Sequence, residues 1–161
     1  MSDDSKALLR FMRGDQDAVN LCLHLAELSH LYDDLIDRDK PIDDATVHRA
    51  MWLALSEIPD NPFYQKWFFQ LQPLLVSSII NWRIANQLER NQDDLRAREI
   101  AHVTRYALAD VILAIAYLIG GEGWVEEIGP ELRLLCQKDT LAHFMQECKE
   151  KYDAQPKTTN P

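Results

Sequence analysis

The residues whose types and spacing best suit chemistry in this chain are the aspartates of the run Asp33-Asp34-Leu35-Ile36-Asp37. The run reads DDxxD, so Asp33 and Asp37 lie one turn apart on the same side of a helix, with side chains about 5–6 Å apart. Carboxylate oxygens at that separation can share a divalent cation, and a cation held in this way can bind a diphosphate. The spacing therefore indicates a candidate metal and diphosphate site.

The DDxxD run resembles the first aspartate-rich motif of the trans-isoprenoid synthase family, whose members are helical and bind diphosphate through magnesium. The resemblance covers five residues and implies that Asp33, Asp34 and Asp37 are magnesium ligands. No second aspartate-rich motif of that family is visible on a later helix. The alternative is a solvated acidic helix end, because a helical wheel places Asp33 at the edge of the apolar stripe and turns Asp34 and Asp37 largely toward solvent.

Two Glu-x-x-His motifs, Glu27 to His30 and Glu99 to His102, form a second candidate constellation. They resemble the ligand pattern of ferritin-like di-iron and di-manganese bundles, which implies a di-metal centre made by these four residues. In an antiparallel bundle the two histidines would lie at a similar height, and Glu89 would approach the same end. The alternative is two exposed polar faces, because both motifs lie off the main apolar stripes.

Asp110 is a different kind of candidate, because its neighbours along the chain are all apolar. A buried carboxylate costs several kcal/mol unless it is paired or hydrogen-bonded. We therefore expect Asp110 to be buried beside a polar partner, for which Asn81, Arg83, Asn86 and Arg105 are the candidates. Such a group is either the floor of a pocket or a catalytic acid, with a raised pKa, or it is part of a structural network that fixes helix register.

Composition limits the class of protein. The chain has 161 residues, 47% of them apolar, which predicts one globular domain. Its net charge of −9 disfavours nonspecific binding to nucleic acid or to anionic lipid. Three cysteines without CxxC spacing indicate a reducing compartment. The N-terminus lacks a signal layout, and the longest apolar stretch, 106–119, is too short to span a bilayer. We expect a soluble, cytoplasmic protein with no membrane contact.

Apolar residues recur at helical spacing along the whole chain, and no segment alternates like a strand. The predicted fold is all-α: an antiparallel helical bundle with two long central helices and short C-terminal capping helices. Residues 1–152 form a single domain, and 153–161 form a polar tail. The predicted helices cover Asp15 to Asp37, 44–58, 62–90, 95–119, 123–128, 130–137, and a last stretch from an Asp139 cap to 152. A kink or split is predicted at Pro73, and a stop at Gly120-Gly121. The helix over 44–58 has the predicted inward stripe Val47, Ala50, Met51, Ala54, Leu55 and Ile58.

The third and fourth of these helices are apolar on nearly all sides, so the rest of the bundle cannot cover them completely. Such surfaces usually mark interfaces. We expect a homodimer, or a protein partner, that contacts Trp67, Phe69, Leu74, Ile80 and Ile84.

The functional prediction is a small, acidic, non-enzymatic interaction module, and the stretch from Asn61 to Glu89 resembles small phage-borne or bacterial accessory proteins. No cofactor is predicted for such a module. The alternative is a metal-dependent helical enzyme that uses magnesium or a transition metal at the sites described above.

Overall fold

The structure is a computed structural model that describes residues 3–37, 41–91 and 94–153, without the side chains of Asp3, Asp37 and Asp153. These residues form an all-α helical bundle and contain no strand, which confirms the predicted fold class. The predicted tail, 153–161, lies outside the described residues except for the backbone of Asp153. In chain order the elements are α1 (Asp3–Phe11), α2 (Gln16–Asp37), α3 (Asp44–Trp52), a first π turn (Leu53–Glu57), α4 (Pro62–Lys66), α5 (Phe68–Glu89), α6 (Leu95–Thr104), α7 (Leu108–Cys136), α8 (Leu141–Cys148) and a second π turn (Lys149–Asp153).

Short-range capping sets most of the helix starts. The Asp15 carboxylate accepts a hydrogen bond from the Ala18 amide at 3.0 Å and opens α2. Asp43 caps α3 in the same way, and Asn61 caps α4 with Pro62 in its first turn. The N-cap of α8 is Thr140 and not the predicted Asp139, because the Thr140 hydroxyl accepts a hydrogen bond from the His143 amide. Each cap satisfies amides that the first helical turn leaves unpaired.

The predicted long helix over 62–90 is divided, but not at Pro73. The division lies at Trp67, which has a non-helical conformation between α4 and α5. Pro73 lies inside α5, in its second turn, and the helix continues through it to Glu89.

The predicted helix over 95–119 is also divided, at residues 105–107, and this division changes the position of Asp110. Asp110 lies in the first turn of α7, where the helix dipole stabilises a negatively charged carboxylate. Its side chain is 57% exposed and pairs with Arg133. The prediction that Asp110 is buried was therefore wrong. It does have a polar partner, but the partner is none of the four residues that we expected.

Gly121 interrupts α7 where the sequence predicted a stop. Its φ of 75° and ψ of −173° are non-helical, whereas the residues before and after it are helical. The residue therefore joins two limbs of α7, and the second limb replaces the two short helices that were predicted after it.

Two apolar clusters form the core. The main cluster is built mostly from α1, α2, α4 and α7, with Leu53 of the first π turn and Leu71 of α5, and includes Phe11, Leu21 and Ile115. A smaller cluster of Ala85, Ala101, Phe144 and Cys148 lies where α5, α6 and α8 meet. Helix α5 packs against α6 and α7 but buries only Leu71, Ala85 and Glu89, so much of its apolar surface faces outward.

The apolar stripe predicted for the second helix is only partly buried. Ala50 and Ile58 lie in the core, as predicted, but Val47, Met51 and Leu55 are 43%, 53% and 70% exposed. Leu53, which was not in the predicted stripe, is buried. Arg49, next to Ala50, reaches toward α2 and donates to Glu27. A charged residue of α3 therefore lies at its contact with α2.

Candidate functional site

Glu27, a predicted metal ligand, is the counterion of an arginine. Arg49 donates to both of its carboxylate oxygens, at 2.6 and 2.7 Å, and also to Glu57 at 2.7 Å. The hydrogen bonds from Arg49 lower the pKa of both carboxyl groups. A carboxylate held at both oxygens by one guanidinium is a poor ligand for a second cation.

His24 completes this ion network from one turn earlier on α2. Its Nε2 lies 3.3 Å from Oε2 of Glu57. Nδ1 of His24 and Oε2 of Glu57 are buried with no hydrogen-bond partner. Sequence reasoning missed the network, since nothing local pairs Arg49 with a residue 22 positions away.

The other residues of the two Glu-x-x-His motifs lie in separate surroundings. His30 and Glu99 are exposed. His102 is only 7% exposed, with Nε2 3.2 Å from the backbone oxygen of Asp139 and its ring beside Phe144. Helix α2 packs against α1, α3, α4 and α7, whereas α6 packs against α5 and α8. Among the described side chains, no three of these predicted ligands offer atoms within 4.8 Å of one another.

Asp33 borders a polar cleft of about 480 Å³ at the end of the bundle. Asp33 and Asp34 are half-buried, and the side chain of Asp37 lies outside the described residues, so magnesium binding by the DDxxD run stays a prediction. The residues around the polar cleft are Asp33, Glu89, Arg105, Phe144, Glu147, Cys148, Glu150, Lys151 and Tyr152.

Glu89 is the buried acidic group of the polar cleft, with 6% of its surface exposed. Its carboxylate accepts the Tyr152 hydroxyl at 2.7 Å, and its backbone oxygen accepts Nε of Arg98 at 3.1 Å. Burial and the neighbouring carboxylate raise the pKa of Tyr152 to about 12, and burial raises that of Cys148 to about 11. Cys148 is therefore a protonated thiol at neutral pH and not a ready nucleophile.

Asp139, His143 and Glu147 form a group of side chains that could hold a metal ion. Nδ1 of His143 lies 2.7 Å from Oδ1 of Asp139 and 3.9 Å from Oε1 of Glu147. All three ligand atoms lie within 4.8 Å of one another. None of the three was a sequence candidate, although their spacing of four residues was the available signal.

The polar residues predicted to be partners of Asp110 lie elsewhere. Asn81 and Asn86 are half-buried on α5, and Arg83 is exposed. Arg105 stacks on the ring of Phe144, with its guanidinium carbon 5.2 Å from the ring centroid. The buried network expected around Asp110 is therefore not formed by these residues.

A shallow basic groove of about 590 Å³ lies at the turn between α1 and α2. Lys6, Arg10 and Arg13 line it together with Trp124, whose indole NH donates to the backbone oxygen of Phe11. Arg10 also pairs with Glu131 at 2.5 Å, so part of the positive charge is neutralised.

The residues predicted to form an interface lie mostly at the surface. Phe69, Leu74, Ile80 and Ile84 are 86%, 37%, 50% and 42% exposed. Trp67 is half-buried and packs against the main cluster, so it contributes less surface than expected.

The apolar composition of α7 also bears on membrane contact. The helical stretch Leu95–Tyr152 contains an 18-residue window with a mean hydropathy of 1.6, and 33% of that window is buried. By length and composition alone this stretch could cross a membrane. Core helices of soluble proteins meet the same criterion, so the expected absence of membrane contact stays a prediction.

Comparison with known proteins adds no assignment: no family model, curated protein or solved structure matches the chain.

Proposed function

We propose that this chain is a small, non-enzymatic interaction module that acts as a homodimer and associates through α5. The observation that carries the proposal is the position of Phe69, which is 86% exposed at the start of an apolar row. A phenylalanine in water forgoes the stabilisation that burying its large ring would give. A surface that covers Phe69 would recover that stabilisation.

Six of the exposed residues of α5 have the spacing of a coiled-coil seam. They occur at positions 69, 73, 76, 80, 83 and 87, alternately four and three residues apart, and other exposed residues flank them at positions 68, 70, 74, 77, 79 and 84. This is the 3.5-residue repeat by which paired helices bury a common seam. The first four, Phe69, Pro73, Val76 and Ile80, are apolar and are called the α5 seam below.

The α5 seam is self-complementary, which favours a second copy over an unrelated partner. In an antiparallel pair about a twofold axis, Phe69 would lie opposite Ile80 of the other copy, and Pro73 opposite its Val76. A twofold interface uses the same patch on both subunits in this way. The flanking residues Phe68, Leu74, Ile79 and Ile84 extend the apolar surface, with exposed fractions of 40%, 37%, 51% and 42%.

The size of the patch agrees with an interface. Seven large apolar side chains of α5 are exposed, namely Phe68, Phe69, Leu74, Val76, Ile79, Ile80 and Ile84, and contiguous apolar surface of this kind is typical of interfaces. A standard interface buries roughly 800 Å² per partner, so neighbouring residues of α6 would join the contact. Leu95, Ile100 and Val103 of α6 are 69%, 44% and 65% exposed.

The proposal does not assign an enzymatic activity. Glu27 accepts hydrogen bonds from Arg49, and Nε2 of His102 lies 3.2 Å from the backbone oxygen of Asp139. Two of the expected metal ligands therefore have partners within the protein. Free cysteines at positions 22, 136 and 148 support a reducing, cytoplasmic location. A role as an accessory protein in a phage or bacterium belongs to the same proposal.

Sedimentation equilibrium at micromolar concentration, with one matched pair of variants, tests the proposal. We expect the unmodified chain to sediment as a dimer and Ile80→Glu to sediment as a monomer near 18.7 kDa. The substitution would place a charge opposite Phe69 at two symmetric points. Leu134→Glu adds the same charge at an apolar position of α7 that is 73% exposed, and this variant should remain dimeric. Circular dichroism should show equal helix content in all three.

Two results would reject self-association through α5. One is a monomeric unmodified chain over the whole concentration range. The other is a dimer that survives Ile80→Glu but dissociates in Leu55→Glu, which would assign the interface to the exposed stripe of α3.

A further inference from the structure

We infer that Asp139, His143 and Glu147 bind one divalent transition-metal ion. The inference is independent of the dimer proposal. Oδ1 of Asp139 lies 2.7 Å from Nδ1 of His143, which lies 3.9 Å from Oε1 of Glu147. An ion that binds each atom at about 2.0–2.2 Å needs ligand separations of this order. All three ligand atoms already lie within 4.8 Å of one another.

The fold sets the backbone positions of the three ligand residues before any ion binds. The Thr140 hydroxyl caps α8 by accepting the His143 amide, so His143 and Glu147 lie on successive turns of one helical face. Asp139 precedes the cap, and its backbone oxygen lies 3.2 Å from Nε2 of the buried His102. The contact with His102 therefore fixes the backbone of Asp139, the one ligand that precedes α8. Only 21% of the Asp139 side chain is exposed.

The ligand set favours a transition metal over magnesium. One imidazole nitrogen and two carboxylates suit Zn²⁺, Co²⁺ or Fe²⁺, whereas Mg²⁺ prefers oxygen ligands alone. With a neutral imidazole the cluster carries two negative charges, which attract a dication. Three protein ligands leave coordination positions for water.

Calorimetric titration of the full, untagged chain with ZnCl₂ tests the site. We expect one ion per chain, and we expect His143→Ala and Glu147→Gln each to weaken binding by about tenfold or more. His30→Ala is the matched control, because His30 is an exposed histidine of the sequence-predicted Glu-x-x-His site. This control should bind as the unmodified chain does. Titration with MgCl₂ should give no comparable binding.

A second readout reports the coordination itself. Co²⁺ bound to the unmodified chain should give visible d–d absorption that His143→Ala abolishes, and circular dichroism should show that the variant remains folded. Either of two results overturns the inference: no zinc binding by the unmodified chain at millimolar concentration, or equal binding by the unmodified chain and His143→Ala. A loss of binding in His30→Ala alone would assign the metal to the sequence-predicted site instead.

Discussion

The Tyr152 hydroxyl donates a hydrogen bond to Oε1 of Glu89 at 2.7 Å, which joins the second π turn to the end of α5 across 63 positions of sequence. Glu89 is one of the few charged side chains buried in the described part of the chain. A buried carboxylate requires donors, and this hydroxyl is one of them. The bond therefore ties the C-terminal helices to the smaller apolar cluster.

Removing this hydroxyl should destabilise the fold. Tyr152→Phe keeps the ring but leaves an acceptor of Glu89 without its donor, which costs about 1–3 kcal/mol. Urea denaturation should show a lower midpoint with an unchanged slope. Tyr117→Phe is the control, because Tyr117 is 54% exposed on α7, and its midpoint should match that of the unmodified chain. Equal midpoints for both variants would mean that water replaces the hydroxyl without loss.

The interruption of α7 predicts opposite effects at two glycines. Gly121 has a positive φ of 75° with ψ of −173°, a conformation that only glycine enters freely, so Gly121→Ala should cost about 1–3 kcal/mol. Gly123 has helical geometry, and a Cβ there would meet no atom within 4 Å. Gly123→Ala should therefore stabilise by about 0.5–1 kcal/mol. Thermal denaturation of the two variants measures the contrast, and stabilisation by Gly121→Ala would contradict it.

The network around Arg49 predicts a pH-dependent contribution to stability. Arg49 lowers the pKa of Glu27 and Glu57 below their ordinary value of 4.5 in the folded state. Both carboxylates therefore stabilise the fold above pH 4.5, and this contribution is lost as the pH falls through their folded values. Arg49→Gln should lower the melting temperature at pH 7, and the difference from the unmodified chain should shrink as the pH falls below 4.5.

Melting temperatures by circular dichroism at fixed ionic strength give this comparison. Exposed fractions of 36% for Arg49 and 41% for Glu27 predict that added salt reduces the difference at pH 7. His24 also faces Glu57, with Nε2 3.3 Å from Oε2, so His24→Gln in both backgrounds controls for the contribution of His24. A difference that stays constant down to pH 3 would show that Arg49 acts through packing alone.

The sequence by itself determined the elements that depend on neighbours along the chain. Helical periodicity and local caps such as Asp15, Asp43 and Asn61 act within one turn, so the helical class and most helix starts follow from short stretches of residues. The apolar character of α5 on nearly all sides was equally readable, because it is a property of composition.

Only the tertiary structure decided which helix faces meet. Periodicity marks a face as apolar but does not say what covers it, so Val47, Met51 and Leu55 were expected inside and lie at the surface. For the same reason Glu27 meets Arg49 and not His102, and Asp110 pairs with Arg133 at the surface after the break at 105–107 moves it to a helix start. The positions of side chains on different helices depend on packing over the whole chain, and a pattern within one helix contains no such information.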